Sequence, residues 1–119
     1  MPEVVDVRAS ARFISMSPQK VRLVLDLVRG LEAAEALDVL RFTTKAASKP
    51  VTKLLRSAIA NAEENFGISR DELVVHEIYA DNAPTRRWRR FGARGRFKPL
   101  LRRSSHITVV LRAIQQAEQ

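Results

Sequence analysis

Three consecutive stretches decide the fold: LVVHEIYA at residues 73–80, TRRWRRFGARGRFKPLLRR at residues 85–103 and HITVVL at residues 106–111. The first and third are rich in β-branched residues, which favours β-strands. The segment between them is polar and rich in arginine. We therefore predict a β-hairpin whose connection is itself extended.

The extended connection is predicted to project as an arm. With Asp81 opposite His106, its midpoint falls between Ala93 and Arg94, where glycines on both sides permit a tight reversal. Roughly 11 residues per side at about 3.3 Å each reach about 35 Å, further than the radius of a small domain. The 119-residue chain is thus predicted to be one domain, with a body (residues 1–82 and 105–113) and an arm (residues 83–104).

Charge is concentrated in this arm. The chain has 21 basic and 13 acidic residues, and no acidic residue lies between Asp81 and Glu118. Nine of the basic residues lie within residues 85–103, so the other twelve nearly balance the acidic ones. In the predicted register Arg89 faces Lys98, a like-charge pair that destabilises a ribbon, and Pro99 removes a donor. This pattern predicts an arm that orders on a polyanion.

The rest of the chain predicts one further strand and three helices. Val5 to Phe13 alternate, with Phe13 on the apolar side, which indicates a half-buried strand. Ser17 and Pro18 resemble an N-cap and first helical position, and Gly30 marks the end of that helix. The second helix is expected from residue 31 or 32 to Arg41, burying Ala33, Ala36, Leu37 and Leu40.

The third helix, from about residue 46 to residue 66, has the clearest apolar face. That face consists of Val51, Leu54, Leu55, Ala58 and Ala62, and Gly67 is a suitable end. The opposite face carries Lys45, Lys49, Lys53 and Arg56. A solvated helix side and a nucleic-acid contact explain this row equally well.

No catalytic, cofactor or metal site is predicted. The chain has no cysteine, and its two histidines, His76 and His106, lack the spaced partners of a metal site. Ser105 and His106 are strand neighbours whose side chains point to opposite faces. No segment resembles a signal peptide or membrane span, so we expect a cytoplasmic protein that does not bind membranes.

Three blocks resemble the large-subunit ribosomal protein twenty-two family, in its bacterial form. They are residues 17–24 (SPQKVRLV) followed by Arg29-Gly30, residues 57–65 (SAIANAEEN), and Gly95-Arg96 followed by HITVV at residues 106–110. The sequence RRSS at residues 102–105 adds to the last block. As an ordered set these blocks are specific, and they span nearly the whole chain.

The resemblance implies a three-stranded antiparallel sheet packed on three helices, with a long projecting basic β-hairpin. It also implies a structural constituent of the large ribosomal subunit, not an enzyme. Its expected partners are large-subunit (23S-type) rRNA, neighbouring ribosomal proteins and the nascent peptide, because the family's hairpin lines the exit tunnel. A role in subunit assembly and a single copy of the chain, not a homo-oligomer, are expected as well.

From the arm's composition and this resemblance, the expected RNA-binding residues are Arg86, Arg87, Trp88, Arg89, Arg90, Arg94, Arg96, Lys98, Arg102 and Arg103 in the arm and Lys20, Arg22, Lys49 and Lys53 in the body. The expected tunnel-lining tip is Arg90, Phe91, Gly92, Ala93, Arg94 and Gly95. Trp88, Phe91 and Phe97 can stack on bases or brace the hairpin. Phe91-Gly92 departs from the proline and arginine common in the family at this point, so antibiotic contacts are not carried over.

Other classes of protein share some of these features. A DNA-bending architectural protein also combines a small body with basic arms. A nuclease would need carboxylates near the arm, where Asp81 alone is thin support. A membrane-surface protein would need a basic helix with an uncovered apolar face.

Overall fold

The computed structural model describes residues 2–84, 86–91 and 97–116, with side chains for residues 4–84 and 103–113. Three helices and a three-stranded antiparallel sheet confirm the predicted α+β class. In chain order the elements are β1 (Pro2–Ile14), α1 (Pro18–Val28), α2 (Ala33–Arg41), α3 (Ser48–Phe66), a 3-10 turn (Arg70–Glu72), β2 (Val74–Asn82), β3 (Arg86–Phe91), β4 (Phe97–Arg102) and β5 (Ser105–Gln116).

The C-terminal strand β5 is the centre of the sheet, which has the order β1-β5-β2 with antiparallel pairs. Asp81 pairs with His106, the pairing from which the tip of the arm was located. Strand β5 continues to Gln116, beyond the predicted end at residue 111, because β1 pairs with it as far as Pro2. Its inward positions Ile107, Val109 and Leu111 are fully buried, as β-branched and leucine side chains in a central strand should be.

The helices begin and end close to the predicted residues. Helix α1 starts at Pro18 after the N-cap Ser17, whose side chain makes no capping hydrogen bond. Gly30 and Gly67 follow α1 and α3 with φ of 83° and 66°, the left-handed conformation that terminates helices. None of the helices in the described part of the chain is long and apolar enough to cross a membrane.

The core lies between the helices and one face of the sheet. Leu25, Leu40 and Leu55 from the three helices are at most 2% exposed, and each contributes about 1.5–3 kcal/mol through burial. Leu37, predicted to be buried, is half-buried at the edge of this core. The other predicted core residues of the helices are buried: Val21, Val24, Val28, Ala33, Ala36, Val51, Leu54, Ala58 and Ala62.

The prediction that Phe13 lies on the buried face of β1 is wrong. The pairing of β1 with β5 shifts between Ala11 and Ile14, and Phe13 there adopts a φ of 56° and is 59% exposed. Ile14 packs against the core instead. The Phe13 N–H donates to Nδ1 of His106 at 3.1 Å, and the two rings meet edge to face at 4.7 Å. These contacts offset a strained backbone that costs roughly 1–3 kcal/mol.

The outer edge of β2 is covered by the segment that joins α1 to α2. Gly30 and Ala33 donate their N–H groups to the carbonyls of Val75 and Leu73, and the Val75 N–H donates to Leu31. Further along the edge, Arg29 donates to the Ile78 carbonyl at 2.8 Å. Because exposed edge strands pair with other chains, this cover protects the β2 edge of the sheet.

The molecule is elongated. Its principal extents are 77 × 26 × 20 Å and its radius of gyration is 18.2 Å, against about 13–14 Å for a compact domain of this length. Strands β3 and β4 form a separate two-stranded sheet. An elongated shape agrees with the prediction that the basic segment projects from the body.

Candidate nucleic-acid interface

The arm is an antiparallel ribbon in which cations pair with cations. Strands β3 and β4 run in register from Arg86–Arg102 to Phe91–Phe97, and Arg90 pairs with Lys98. Two of the six residue pairs of the ribbon therefore carry like charge, which destabilises a strand pair. Arg94 and Arg96, with the predicted tip residues Gly92, Ala93 and Gly95, lie outside the described residues.

The predicted pairing of Arg89 with Lys98 is wrong, since Arg89 pairs with Pro99. The sheet ends with Asn82 opposite Ser105, and the ribbon begins with Arg86 opposite Arg102. Between these two pairs the first strand has one residue more than the second, and the extra residue shifts the register by one. A shift of one residue exchanges the two faces of a strand, so the ribbon does not simply continue the faces of the sheet.

The base of the arm is fastened to the body at this shift. The Ala83 N–H donates to the Ser104 carbonyl at 3.0 Å, and Pro84 has no N–H to continue the ladder. The next residue along the second strand is Arg103, whose side chain is exposed. The basic run thus reaches the surface of the body.

The two predicted RNA-binding residues of α1 differ in their surroundings. Lys20 is exposed in the first turn. Arg22 instead donates from Nη2 to the Ala80 carbonyl at 2.8 Å, on the same edge of β2 that Arg29 contacts. Arg22 therefore holds α1 against the sheet, a role that the sequence pattern did not reveal because the acceptor is 58 residues away.

The two predicted residues of α3 lie together in a groove. Lys49 and Lys53 line the surface between α2 and α3, where Arg41 and Arg56 join them. Arg41 was not predicted; its position in the last turn of α2 was its one signal. Arg12, on the exposed side of β1, lines a second groove with Lys53. Lys49 and Lys53 therefore lie beside additional cations, whereas Lys20 and Arg22 line neither groove.

The described residues contain no catalytic constellation. No group of three or more acidic, histidine or cysteine residues among them could hold a metal ion. Ser105 is buried and donates its hydroxyl to the Met16 carbonyl at 2.6 Å, while His106 accepts from the Phe13 N–H. The two neighbours therefore have separate structural contacts and form no dyad.

The family described as "Ribosomal protein L22p/L17e" matches residues 9–112. A "Large ribosomal subunit protein uL22" from Desulfitobacterium hafniense is 49% identical over 104 residues, which cover 87% of this chain and 91% of that protein. The protein of the same name from Staphylococcus aureus is 50% identical over 106 residues, covering 89% and 91%. The chain belongs to the L22p/L17e family and is a structural constituent of the large ribosomal subunit.

Proposed function

We propose that the chain binds large-subunit rRNA through its arm, that this contact assists subunit assembly, and that the tip of the arm lines the nascent-peptide tunnel. The main support for the RNA contact is the pairing of cations across the ribbon, at Arg86–Arg102 and Arg90–Lys98. No acidic residue between Asp81 and Glu118 offsets these charges. In an assembling subunit, the phosphates of rRNA are the anions that can offset these charges.

The energetics of the ribbon favour a bound state. A two-stranded hairpin by itself is marginally stable in water, and opposed like charges weaken it further. A phosphate between two guanidinium groups accepts hydrogen bonds from both and reverses the sign of their repulsion. Binding to RNA therefore supplies the stability that the ribbon lacks.

The register also separates the aromatic residues of the arm. Phe91 pairs with Phe97, and aromatic pairs across strands stabilise a ribbon by about 0.2–1 kcal/mol. Trp88 pairs with Leu100 and has no aromatic partner there. We therefore propose that the two phenylalanines stabilise the hairpin by packing across the strands. Trp88 is proposed to stack on an RNA base, at roughly 1–3 kcal/mol.

The tunnel-lining role rests on the family and on the reach of the arm. The whole arm (residues 83–104), with roughly 11 residues per side, extends about 35 Å at about 3.3 Å per residue, enough to carry its tip far from the body. The proposed lining residues are Arg90, Phe91 and residues 92–95. A photo-crosslinking amino acid at position 93 should react with a stalled nascent peptide in assembled ribosomes. Reaction with rRNA alone would contradict the tunnel assignment.

The RNA contact is tested by the salt dependence of binding to an in vitro transcript of bacterial large-subunit rRNA. Neutralising about nine phosphates predicts that log affinity falls by roughly eight units per tenfold rise in salt. Changing Arg86, Arg87, Arg89 and Arg90 to Gln together should reduce this slope by roughly three to four. A wild-type slope of one or two, or an unchanged slope in the variant, would refute the proposal. Duplex DNA serves as the competitor in this assay, and RNA should be preferred. Sedimentation of the free protein checks the expectation that it is a single copy.

A further inference from the structure

The two edges of the three-stranded sheet differ. The β2 edge is covered by the segment that joins α1 to α2, whereas β1 pairs in the described sheet with β5 alone. Strand β1 is 13 residues long, about twice the usual strand length of about 5–6 residues. No backbone hydrogen bond from another described element reaches the outer side of its residues 4–12. Because proteins usually shorten or cover edge strands, this long open edge indicates a surface that another chain completes.

The pairing of the sheet shows which peptide groups of β1 face outward. The carbonyl of Ile78 accepts a hydrogen bond from outside the sheet, so the peptide groups of Ile78 point away from β5. Val109, opposite Ile78, therefore directs its own groups towards β1, where Ala9 lies opposite it. Peptide groups alternate in direction along an antiparallel strand. The N–H and C=O groups of Arg8 and Ser10, on either side of Ala9, consequently face the open edge.

A groove runs beside this edge. It has a volume of about 310 Å³ and lies between β1 and α3. Its lining includes Ser10 from the outer face of β1 and Ala11 from the core face, so the groove opens along the edge itself. Pro50 and Leu54 of α3 give it an apolar floor. A strand paired with β1 would place every second side chain over this floor, and it would complete the burial of the half-buried Ala11.

The chemistry of the open edge favours a peptide as its occupant. The outward groups of Arg8 and Ser10 are donors and acceptors in alternation, and each residue of a peptide strand supplies one of each. Phosphate oxygens only accept hydrogen bonds, so an RNA backbone would leave the outward carbonyls without partners. Addition of an extended peptide to a sheet edge is a general mode of recognition, in which main-chain hydrogen bonds give affinity and pockets for alternate side chains give specificity.

The charges along the edge indicate the character of this peptide. Arg12 and Lys53 line the groove, and Arg8 is exposed two pairs of peptide groups away. None of the three has an acidic partner among the described side chains. Asp6 on the same strand accepts two hydrogen bonds from Arg112. Opposite charges across a strand pair contribute about 0.2–1 kcal/mol each, so a segment with carboxylates at alternate positions fits best.

A second copy of the chain fits the edge less well. A two-fold pairing that places residue 8 opposite itself, or opposite residue 12 of the copy, brings two arginines together, which destabilises a strand pair. Neither registers of this kind nor the groove would supply a carboxylate to Lys53, because no acidic residue lines the groove among the described residues.

We propose that the open edge of β1 is a docking site for an extended, acidic segment of another protein of the large subunit, which adds to the sheet as a fourth strand. Membership of the family places the chain in a subunit with other proteins. The inference concerns a protein contact and does not depend on RNA binding by the arm.

The open edge is tested first in the free, unaltered protein by amide exchange. The outward N–H groups of Arg8 and Ser10 should exchange at least about 100-fold faster than the inward N–H groups of Val7 and Ala9, which the sheet protects. Comparable protection of all four amides in the monomeric protein would show that the edge is already covered and would overturn the site.

The occupant is tested in assembled large subunits. A photo-crosslinking amino acid replaces Ser57, which is exposed on α3 and lines the groove. The crosslinked peptides are sequenced by mass spectrometry. The expected product joins this position to one extended segment of another large-subunit protein that contains Asp or Glu at alternate positions. Crosslinking to rRNA alone, or to a second copy of this chain, would overturn the proposal.

Two matched variants of the crosslinking chain test the hydrogen bonds of the edge. Ser10→Pro and Ser10→Ala both lose the hydroxyl that lies 3.5 Å from that of Thr108, but only proline removes the outward N–H. Proline is tolerated on an edge strand when this group faces outward. The crosslink yield should fall at least about fivefold in the proline variant relative to the alanine variant. Equal yields would overturn strand addition.

The same two variants keep this inference separate from the proposed function. The salt slope of binding to the rRNA transcript reports on the arm, so it should be equal in Ser10→Pro and Ser10→Ala. If the crosslink depends on the outward N–H while the arm variant described above keeps the wild-type slope, the docking site stands and the RNA contact of the arm fails. If the slope responds to the arm but the crosslink yields are equal, the docking site alone fails.

Discussion

The body and the arm use the same antiparallel backbone pairing, but different interactions stabilise them. In the body, Ile107, Val109 and Leu111 of β5 are fully buried under the helices. In the arm, Arg86 pairs with Arg102 and Arg90 pairs with Lys98. The body therefore carries its own driving force for folding, whereas the proposed function has the arm ordered by an external anion. On that proposal, one chain combines a self-sufficient fold with a segment whose stability depends on its partner.

Amide exchange of the free protein tests this comparison most directly. Exchange in β3 and β4 should be at least about 1,000-fold faster than in β5, because core strands open only with global unfolding. Addition of the rRNA transcript should protect β3 and β4 and leave β5 nearly unchanged. Comparable protection of both regions without RNA would break the comparison.

A cavity in the core of the body should lower the stability of the fold without changing RNA binding by the arm. Leu55→Ala on α3 removes a fully buried side chain and should lower the free energy of unfolding by about 2–5 kcal/mol, measured by urea denaturation. The salt slope of RNA binding, measured well below the melting temperature, should remain that of the wild type. A changed slope would mean that the core and the RNA contacts are coupled.

Arg22 and Lys20 distinguish a structural role from the predicted RNA-binding role among the cations of α1. Arg22→Gln loses the bond to the Ala80 carbonyl and should lower the free energy of unfolding by about 1–2 kcal/mol. Lys20→Gln, at an exposed position, should leave stability unchanged and reduce the salt slope by roughly 0.7–0.9. An unchanged stability and a reduced salt slope in Arg22→Gln would instead assign Arg22 to the RNA interface.

The strained backbone at Phe13 predicts a difference between two small substitutions. Phe13→Gly should be more stable than Phe13→Ala by about 1 kcal/mol, because both lose the ring but alanine keeps the penalty of a φ of 56°. Thermal unfolding of the two variants measures this difference. Equal stability would show that the backbone relaxes when the ring is absent.

The smallest expected effect is a pH dependence at the far end of the sheet. The hydrogen bond from Arg112 lowers the pKa of Asp6 below its usual 3.8. A lowered folded-state pKa stabilises the fold above the unfolded-state value and loses that contribution as pH falls through the folded-state pKa, so the window lies below about pH 4. Asp6 is exposed and the effect is small. Asp6→Asn should abolish this part of the acid dependence; its persistence would assign it to other carboxylates.

Membership of the family decides between the functional classes that the sequence allowed. The chain is a non-enzymatic ribosomal protein, as the resemblance implied, and family membership supports the cytoplasmic location that was expected from the sequence. This finding rules against the DNA-bending and nuclease alternatives as its family role. The individual RNA-binding and tunnel-lining residues stay predictions.

The elements that depend on local rules could be predicted from the sequence. Apolar spacing predicted α3, and Gly30 and Gly67 marked helix ends because they accept positive φ at low cost. The concentration of charge in residues 85–103 predicted the candidate RNA-binding arm, since net charge over a segment needs no tertiary information.

Tertiary structure alone decided the features that depend on contacts distant in sequence. The shift that turns Phe13 outward, the bond from Arg22 to Ala80 and the one-residue offset that places Arg90 opposite Lys98 each depend on a partner on another element. The same holds for Arg12 and Arg41, which join Lys53 only once β1 and α2 pack beside α3. Hydrophobic periodicity shows which face of an element is apolar. The register of paired strands and the convergence of side chains from different elements depend instead on how the elements pack.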